Sequence, residues 1–226
     1  MAADAGVDLI AFGPHPDDIE IGIGGTVARH AAAGESIGLC DLTAGEMSSN
    51  GTVESRLAEA DAAARVLGAA WRENLHLPDR RIGTDPTHLD SVVAFIRRHQ
   101  PRVVAAPYWS DRHPDHGAAS TLVTEAAFNS GLRRFGEGDS WKPEWICYYF
   151  INDAAQPSFV VDVSGYYDRK REALDCYRSQ FQRAPNGVGT RLNTPLFRQL
   201  IESRPHSYTS NSSGRRAASM SASARQ

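Results

Sequence analysis

The chain has 226 residues, of which 41% are hydrophobic and 23% charged, enough for one large α/β domain with a sizeable core. Its formal net charge of −3 gives no polyanion-binding surface, which argues against nucleic acid as a partner. Cys40, Cys147 and Cys176 form neither a disulfide framework nor a metal knuckle, and no apolar run approaches the roughly 20 residues that span a bilayer. With no basic, apolar leader at the start, a cytoplasmic protein that does not engage membranes is expected.

Residues 7–12 read as a short apolar strand ending in Gly-Pro, followed by a Gly-rich turn and an Ala-rich helix over about 24–33, closed by Gly34. Residues 36–42 form a second strand and 43–51 a polar turn. Thr52 is an N-cap for a helix running to Leu67, with Gly68 behind it. A strand at 71–77, a helix at 87–99 and a buried strand at 102–106 come next. A helix over 116–134, strands at 145–151 and 159–163, and a helix over 166–182 complete the pattern. The alternation predicts a single domain with a Rossmann-like, mainly parallel α/β sheet and helices on both faces, covering 1–202. Residues 203–226 contain eight serines, four arginines and no acid, a composition expected to stay disordered as a tail.

Two segments carry the chemistry. His15-Pro16-Asp17-Asp18, with Glu20 just after, comes behind the first strand, and His113-Pro114-Asp115-His116 comes behind the fourth. In a Rossmann-like order these strands are neighbours across the switch point, where ligands bind beyond the carboxyl ends of strands. Histidine and aspartate suit zinc, which at catalytic centres takes three protein ligands and leaves a position for water. Five candidate groups exceed that need, leaving a carboxylate to take a proton and an imidazole to polarise a carbonyl or protonate an amine. Metal-assisted amide hydrolysis fits this set. Gly22, Gly24 and Gly25 lack dinucleotide-fingerprint spacing and are expected to permit close backbone approach near the site.

Residues 13–20 together with 112–116 resemble the paired motifs of the PIG-L/LmbE-like zinc deacetylases. Residues 40–56, 72–80 and 106–113 are similar to loops of one branch, the bacillithiol-biosynthesis N-acetylglucosaminyl-malate deacetylases. The resemblance implies His15, Asp18 and His116 as zinc ligands, with iron(II) the alternative metal. It implies Asp17 as general base, and His113, oriented by Asp115, as oxyanion stabiliser or acid. Arg56 and Arg112 are candidates for an anionic part of the substrate, because guanidinium pairs bidentately with carboxylate. The substrate implied is a small amino-sugar conjugate, N-acetylglucosaminyl-malate; another N-acetylglucosaminide, a thiol-conjugate amide, or a silent binding module are the alternatives. The resemblance also implies a homo-oligomer, a hexamer that an ordered, Gly- and aromatic-containing C-terminal segment helps to finish. Here the Ser/Arg-rich tail stands in that place.

Overall fold

The computed structural model describes residues 6–183, 185–207 and 217–222. Its strands are β1 (Leu9–Gly13), β2 (Ile37–Asp41), β3 (Trp71–Asn74), β4 (Val103–Pro107), β5 (Trp145–Tyr149), β6 (Phe159–Asp162) and β7 (Ala217–Ala222). Its helices are α1 (Asp18–Ala32), α2 (Val53–Leu67), α3 (Pro86–His99), α4 (Pro114–Asn129), α5 (Tyr167–Cys176), α6 (Arg178–Phe181) and α7 (Pro195–Ser207). Among the described residues the strands form one sheet in the order β3-β2-β1-β4-β5-β7-β6. The first five run parallel, β7 lies antiparallel to β5 and β6, and β1 pairs with both β2 and β4.

Both faces are covered, which explains why the central strands are apolar without alternation. Leu9, Ala11, Leu39 and Ala105 pack on the side of α1, α2, α5 and α7. Ile10, Phe12, Cys40, Val104 and Ala106 pack on the side of α3 and α4. Local signals hold where they are strong. Thr52 caps α2 by accepting from Ser55 N (3.2 Å), and Gly68 ends it at φ 78°. The expected helix over 166–182 is broken at Tyr177 into α5 and α6. No helix among the described residues is long and apolar enough to cross a membrane.

Two expectations need correction. First, α1 begins at Asp18, six residues ahead of the expected start near Gly24, and so takes in Gly22, which was expected to lie in a turn ahead of the helix. Glycine costs a helix about 1 kcal/mol per residue, but tertiary contact overrides that preference here. A Cβ on Gly22 would sit 2.2 Å from the Tyr149 ring, and one on Gly25 would sit 3.1 Å from Val163. The helix is kinked at Ile23 (φ −122°, ψ 16°), and buried Lys170 donates to the carbonyl of Ile21 (2.7 Å) beside the kink. The glycines thus bring α1 close to β5 and α5.

Second, the segment from 203 onward was expected to be disordered, yet α7 continues through Ser207 and residues 217–222 form β7 inside the sheet. Arg204 donates to the carbonyls of Ile151 (2.7 Å) and Asn152 (2.9 Å), pinning α7 to the end of β5. The strand is held by main-chain pairing on both its edges, an interaction that composition does not report. The remaining tail positions, 208–216 and 223–226, lie outside the described residues.

Candidate metal centre and cleft

The sequence places one motif after β1 and the other after β4, and pairing of these strands opens both onto the same edge. Since α1 and α4 then leave on opposite faces, this is the switch point of the sheet. Asp17 is the N-cap residue of α1 and Asp18 its first residue. His113 is the N-cap of α4, and Asp115 and His116 lie in its first turn.

The two motifs converge. His15 Nδ1 is 3.0 Å from Asp18 Oδ2, and His116 Nε2 is 3.4 Å from the same oxygen. One donor atom from each of the three lies within 4.8 Å of the others, and all three side chains are largely buried. Around a tetrahedral zinc with bonds of about 2.0–2.1 Å, donors stand roughly 3.3 Å apart, so this spacing suits such an ion. The remaining imidazole nitrogens face carboxylates. His15 Nε2 is 3.1 Å from Asp79 Oδ1 and 3.2 Å from Asp115 Oδ2, and His116 Nδ1 is 3.0 Å from Asp111 Oδ1. Carboxylates in that position fix ring orientation and make an imidazole a better ligand. His15, His113 and Asp115 form a second grouping within the same 4.8 Å reach. There the Asp115 carboxylate is already taken by Arg80, through N (3.0 Å) and Nη1 (2.8 Å), so the first grouping is the better fit.

The electrostatics describe a cavity built for positive charge. Burial alone would lower His15, but hydrogen bonds with Asp115, Asp18 and Asp79 hold it well above the ordinary imidazole value. His116 is lowered by burial yet raised by Asp18 and Asp111, to about 9. Burial would raise Asp18, and the two imidazoles hold it well below the usual carboxylate range instead. Protons on these rings occupy the role that a cation would take, and metal binding displaces such protons.

Asp17 differs from its neighbour. Burial pushes it up to about 7, against the opposing charge of Arg56. Its backbone is left-handed (φ 114°, ψ −24°), a costly conformation for a residue other than glycine and one concentrated at functional sites. Arg56 supports this turn from beneath, donating to the carbonyl of Pro16 and lying 3.4 Å from Asp17 Oδ2. Expected to meet an anionic substrate, Arg56 is 4% exposed and committed to this loop. Arg112, by contrast, stands on the cleft wall, and its main-chain N donates to Asp153 Oδ2 (2.7 Å).

The relation of His113 to Asp115 also needs correction. It is the main-chain N–H of Asp115 that donates to His113 Nδ1 (3.3 Å), while the carboxylate turns to His15 and Arg80. The physical reason is the helix start: residue 113 occupies the cap position, and the free N–H of the first turn takes its ring nitrogen. Burial, with His116 and His15 beside it, lowers the His113 pKa. A neutral imidazole whose Nδ1 accepts carries its proton on Nε2.

Several residues of the site had been given no role. Asp79, Arg80 and Asp111 lie inside the loops that carry the branch resemblance, and only Asp111, two residues before His113, stands close to a histidine motif in the sequence. Asn152, Gln180, Arg191 and Phe197 also line the cleft, brought there by the segments around β5, α6 and α7 with no local motif to mark them.

Residues 10–127 match the PIG-L family, described as GlcNAc-PI de-N-acetylase. The chain belongs to the PIG-L family. Diacetylchitobiose deacetylase of Thermococcus kodakarensis is 28% identical over 189 residues, 76% of this chain and 70% of that protein. The 1D-myo-inositol 2-acetamido-2-deoxy-alpha-D-glucopyranoside deacetylase of Rhodococcus opacus is 25% identical over 258 aligned positions, 85% of this chain and 88% of its own. The crystal structure of a conserved protein from Thermus thermophilus superposes with a TM-score of 0.83 at 37% identity, covering 95% of this chain and 94% of that one. This PIG-L chain is a hydrolytic N-deacetylase, and its buried donor set fits the metal on which the family depends.

Proposed function

We propose that the chain removes the N-acetyl group from an N-acetylglucosaminyl conjugate, N-acetylglucosaminyl-malate being the substrate the reading favours, as in bacillithiol biosynthesis. The observation that carries it is the buried His15–Asp18–His116 donor set with Asp17 and His113 at its side. His15, Asp18 and His116 would hold a divalent cation, zinc before iron(II) given two imidazoles and one carboxylate. When bound, that cation supplies Lewis acidity, polarising the amide carbonyl and making water nucleophilic near neutral pH.

The protein's own groups supply the rest. Asp17, buried beside the three donor groups, accepts the proton of the attacking water. His113 donates Nε2–H to the carbonyl oxygen as negative charge develops there. Asp17 then returns its proton to the departing nitrogen, the C–N bond breaks, and acetate and the free amine result. Asp79, Asp115 and Asp111 hold the two ligand imidazoles in register through hydrogen bonds. Arg112 on the cleft wall supports a substrate with a carboxylate.

The test is acetate release by zinc-loaded protein from N-acetylglucosaminyl-malate, beside N-acetylglucosamine and diacetylchitobiose. Preference for the malate conjugate is expected, and Asp17→Asn should lower turnover about 10²–10⁴-fold while leaving bound metal stoichiometric. Turnover by Asp17→Asn near that of the wild type would refute the assigned base. Equal rates on all three compounds would refute the malate conjugate.

A further inference from the structure

The cleft has a lip that neither motif contributes. Residues 185–194 are docked onto the turn at 43–51: Val188 N donates to Asn50 Oδ1 (2.9 Å), and Asn50 Nδ2 donates to the Val188 carbonyl (3.0 Å). Gln180 closes the junction from α6 by donating to the Asn50 carbonyl (2.8 Å). Within the lip, Thr190 N donates to Asn193 Oδ1 (3.0 Å), and Thr194 Oγ1 donates to the Arg191 carbonyl (2.7 Å). Arg191 is thereby placed on the cleft wall, with Cζ 5.1 Å from the ring centroid of Phe197. Phe197 is 2% exposed and fixed at the start of α7, so the guanidinium rests on an immobile aromatic face.

The charges lining the cleft leave Arg191 as one of two candidate anion-binding groups. Arg56 is spent on Asp17 and the Pro16 carbonyl, and Arg80 on Asp115. Arg112 and Arg191 are the cleft arginines whose guanidinium meets no carboxylate among the described residues. An exposed guanidinium stacked on a fixed ring retains its in-plane N–H groups for a planar anion.

We propose that Arg191 is a specificity-determining residue, binding a carboxylate on the aglycone of the substrate from the lip of the cleft. The inference rests on the deacetylase reading above and deepens it by adding a recognition element from the C-terminal region. Arg191 touches no reacting atom, so its effect falls on binding and leaves the chemical step to Asp17 and His113.

The experiment uses the full metal-loaded chain, Arg191→Gln and Arg191→Lys. Initial rates are measured on N-acetylglucosaminyl-malate and on neutral methyl N-acetylglucosaminide. Arg191→Gln should lower kcat/KM for the anionic conjugate about tenfold more than for the neutral glycoside, as loss of a charge-assisted hydrogen bond implies. The change should appear in KM, and Arg191→Lys should recover part of it. Equal losses on both compounds would reduce Arg191 to a structural part of the lip and overturn the proposal, as would no loss on the conjugate. Calorimetric titration with glucosaminyl-malate, the deacetylated product, separates the two readings. If the wild type turns over neither compound, the deacetylase assignment fails. Arg191 then stands if its replacement by Gln still weakens product binding about tenfold, and falls if binding is unchanged.

Discussion

Replacing Gly22 by alanine tests whether the start of α1 is set by contact with β5. The added Cβ would lie 2.2 Å from Tyr149 Cδ2, 2.6 Å from Cε2 and 3.1 Å from the Phe150 carbonyl oxygen. Favourable carbon contacts lie at about 3.5–4.0 Å, so helix and ring must separate by more than an ångström. The ring has little room to yield, because Tyr149 is fully buried and its hydroxyl donates to the Phe12 carbonyl (2.7 Å). Overpacking of this kind costs about 1–3 kcal/mol, and the better helix propensity of alanine returns up to about 1 kcal/mol. With a fixed ring as the obstacle, a net loss of about 2 kcal/mol is expected, or about 4–8 °C in Tm for a chain of this size. Gly24→Ala meets Lys170 Cγ at 3.3 Å, a contact relieved by a shift of a few tenths of an ångström, and Gly165→Ala meets nothing within 4 Å. Both should fall within about 0.5 kcal/mol of the wild type. Urea denaturation and thermal melting of the three variants provide the measurement. The argument fails if Gly22→Ala is as stable as the wild type, or if Gly24→Ala loses as much.

Two further predictions concern the charges around the site. Arg72 is buried between Glu20 Oε1 (2.5 Å) and both oxygens of Asp41 (2.7 Å each), so Arg72→Met strands two buried carboxylates. The expected cost is about 3–5 kcal/mol, read by urea denaturation, and a loss under about 1 kcal/mol would mean that the site relaxes around the change. Asp111→Asn removes the carboxylate from His116 Nδ1 and should weaken metal binding about 10–100-fold in a chelator competition. Unaltered affinity would show that His116 needs no orienting carboxylate.

The two histidine motifs and their meeting were legible in the sequence because each comes directly after a strand whose apolar run marks it as central. Adjacent parallel strands at a switch point deliver the loops at their carboxyl ends into one crevice. Thr52 and Gly68 were legible for a different reason: caps are local chemistry within a few residues. Asp79 and Asp111 were visible as parts of loops, but which imidazole each would face depends on the packing of β3, β4 and their loops. The side-chain direction of Asp115 was misread because a helix cap and a carboxylate pair make the same sequence.

What the sequence by itself determined was the order of strands and helices up to α5, the doubly covered sheet and the position of the two histidine motifs. What only the tertiary structure decided was longer in range. Gly22 reads as part of a turn until Tyr149 occupies the space beside it. Arg56 reads as a group for the substrate's anionic part until it is found under the Asp17 turn. Residues 217–222 carry too little apolar pattern to declare a strand, yet β5 and β6 leave two rows of main-chain donors and acceptors between them. Pairing of main chain to main chain is indifferent to side-chain hydropathy, and so that strand became visible only once its neighbours were in place.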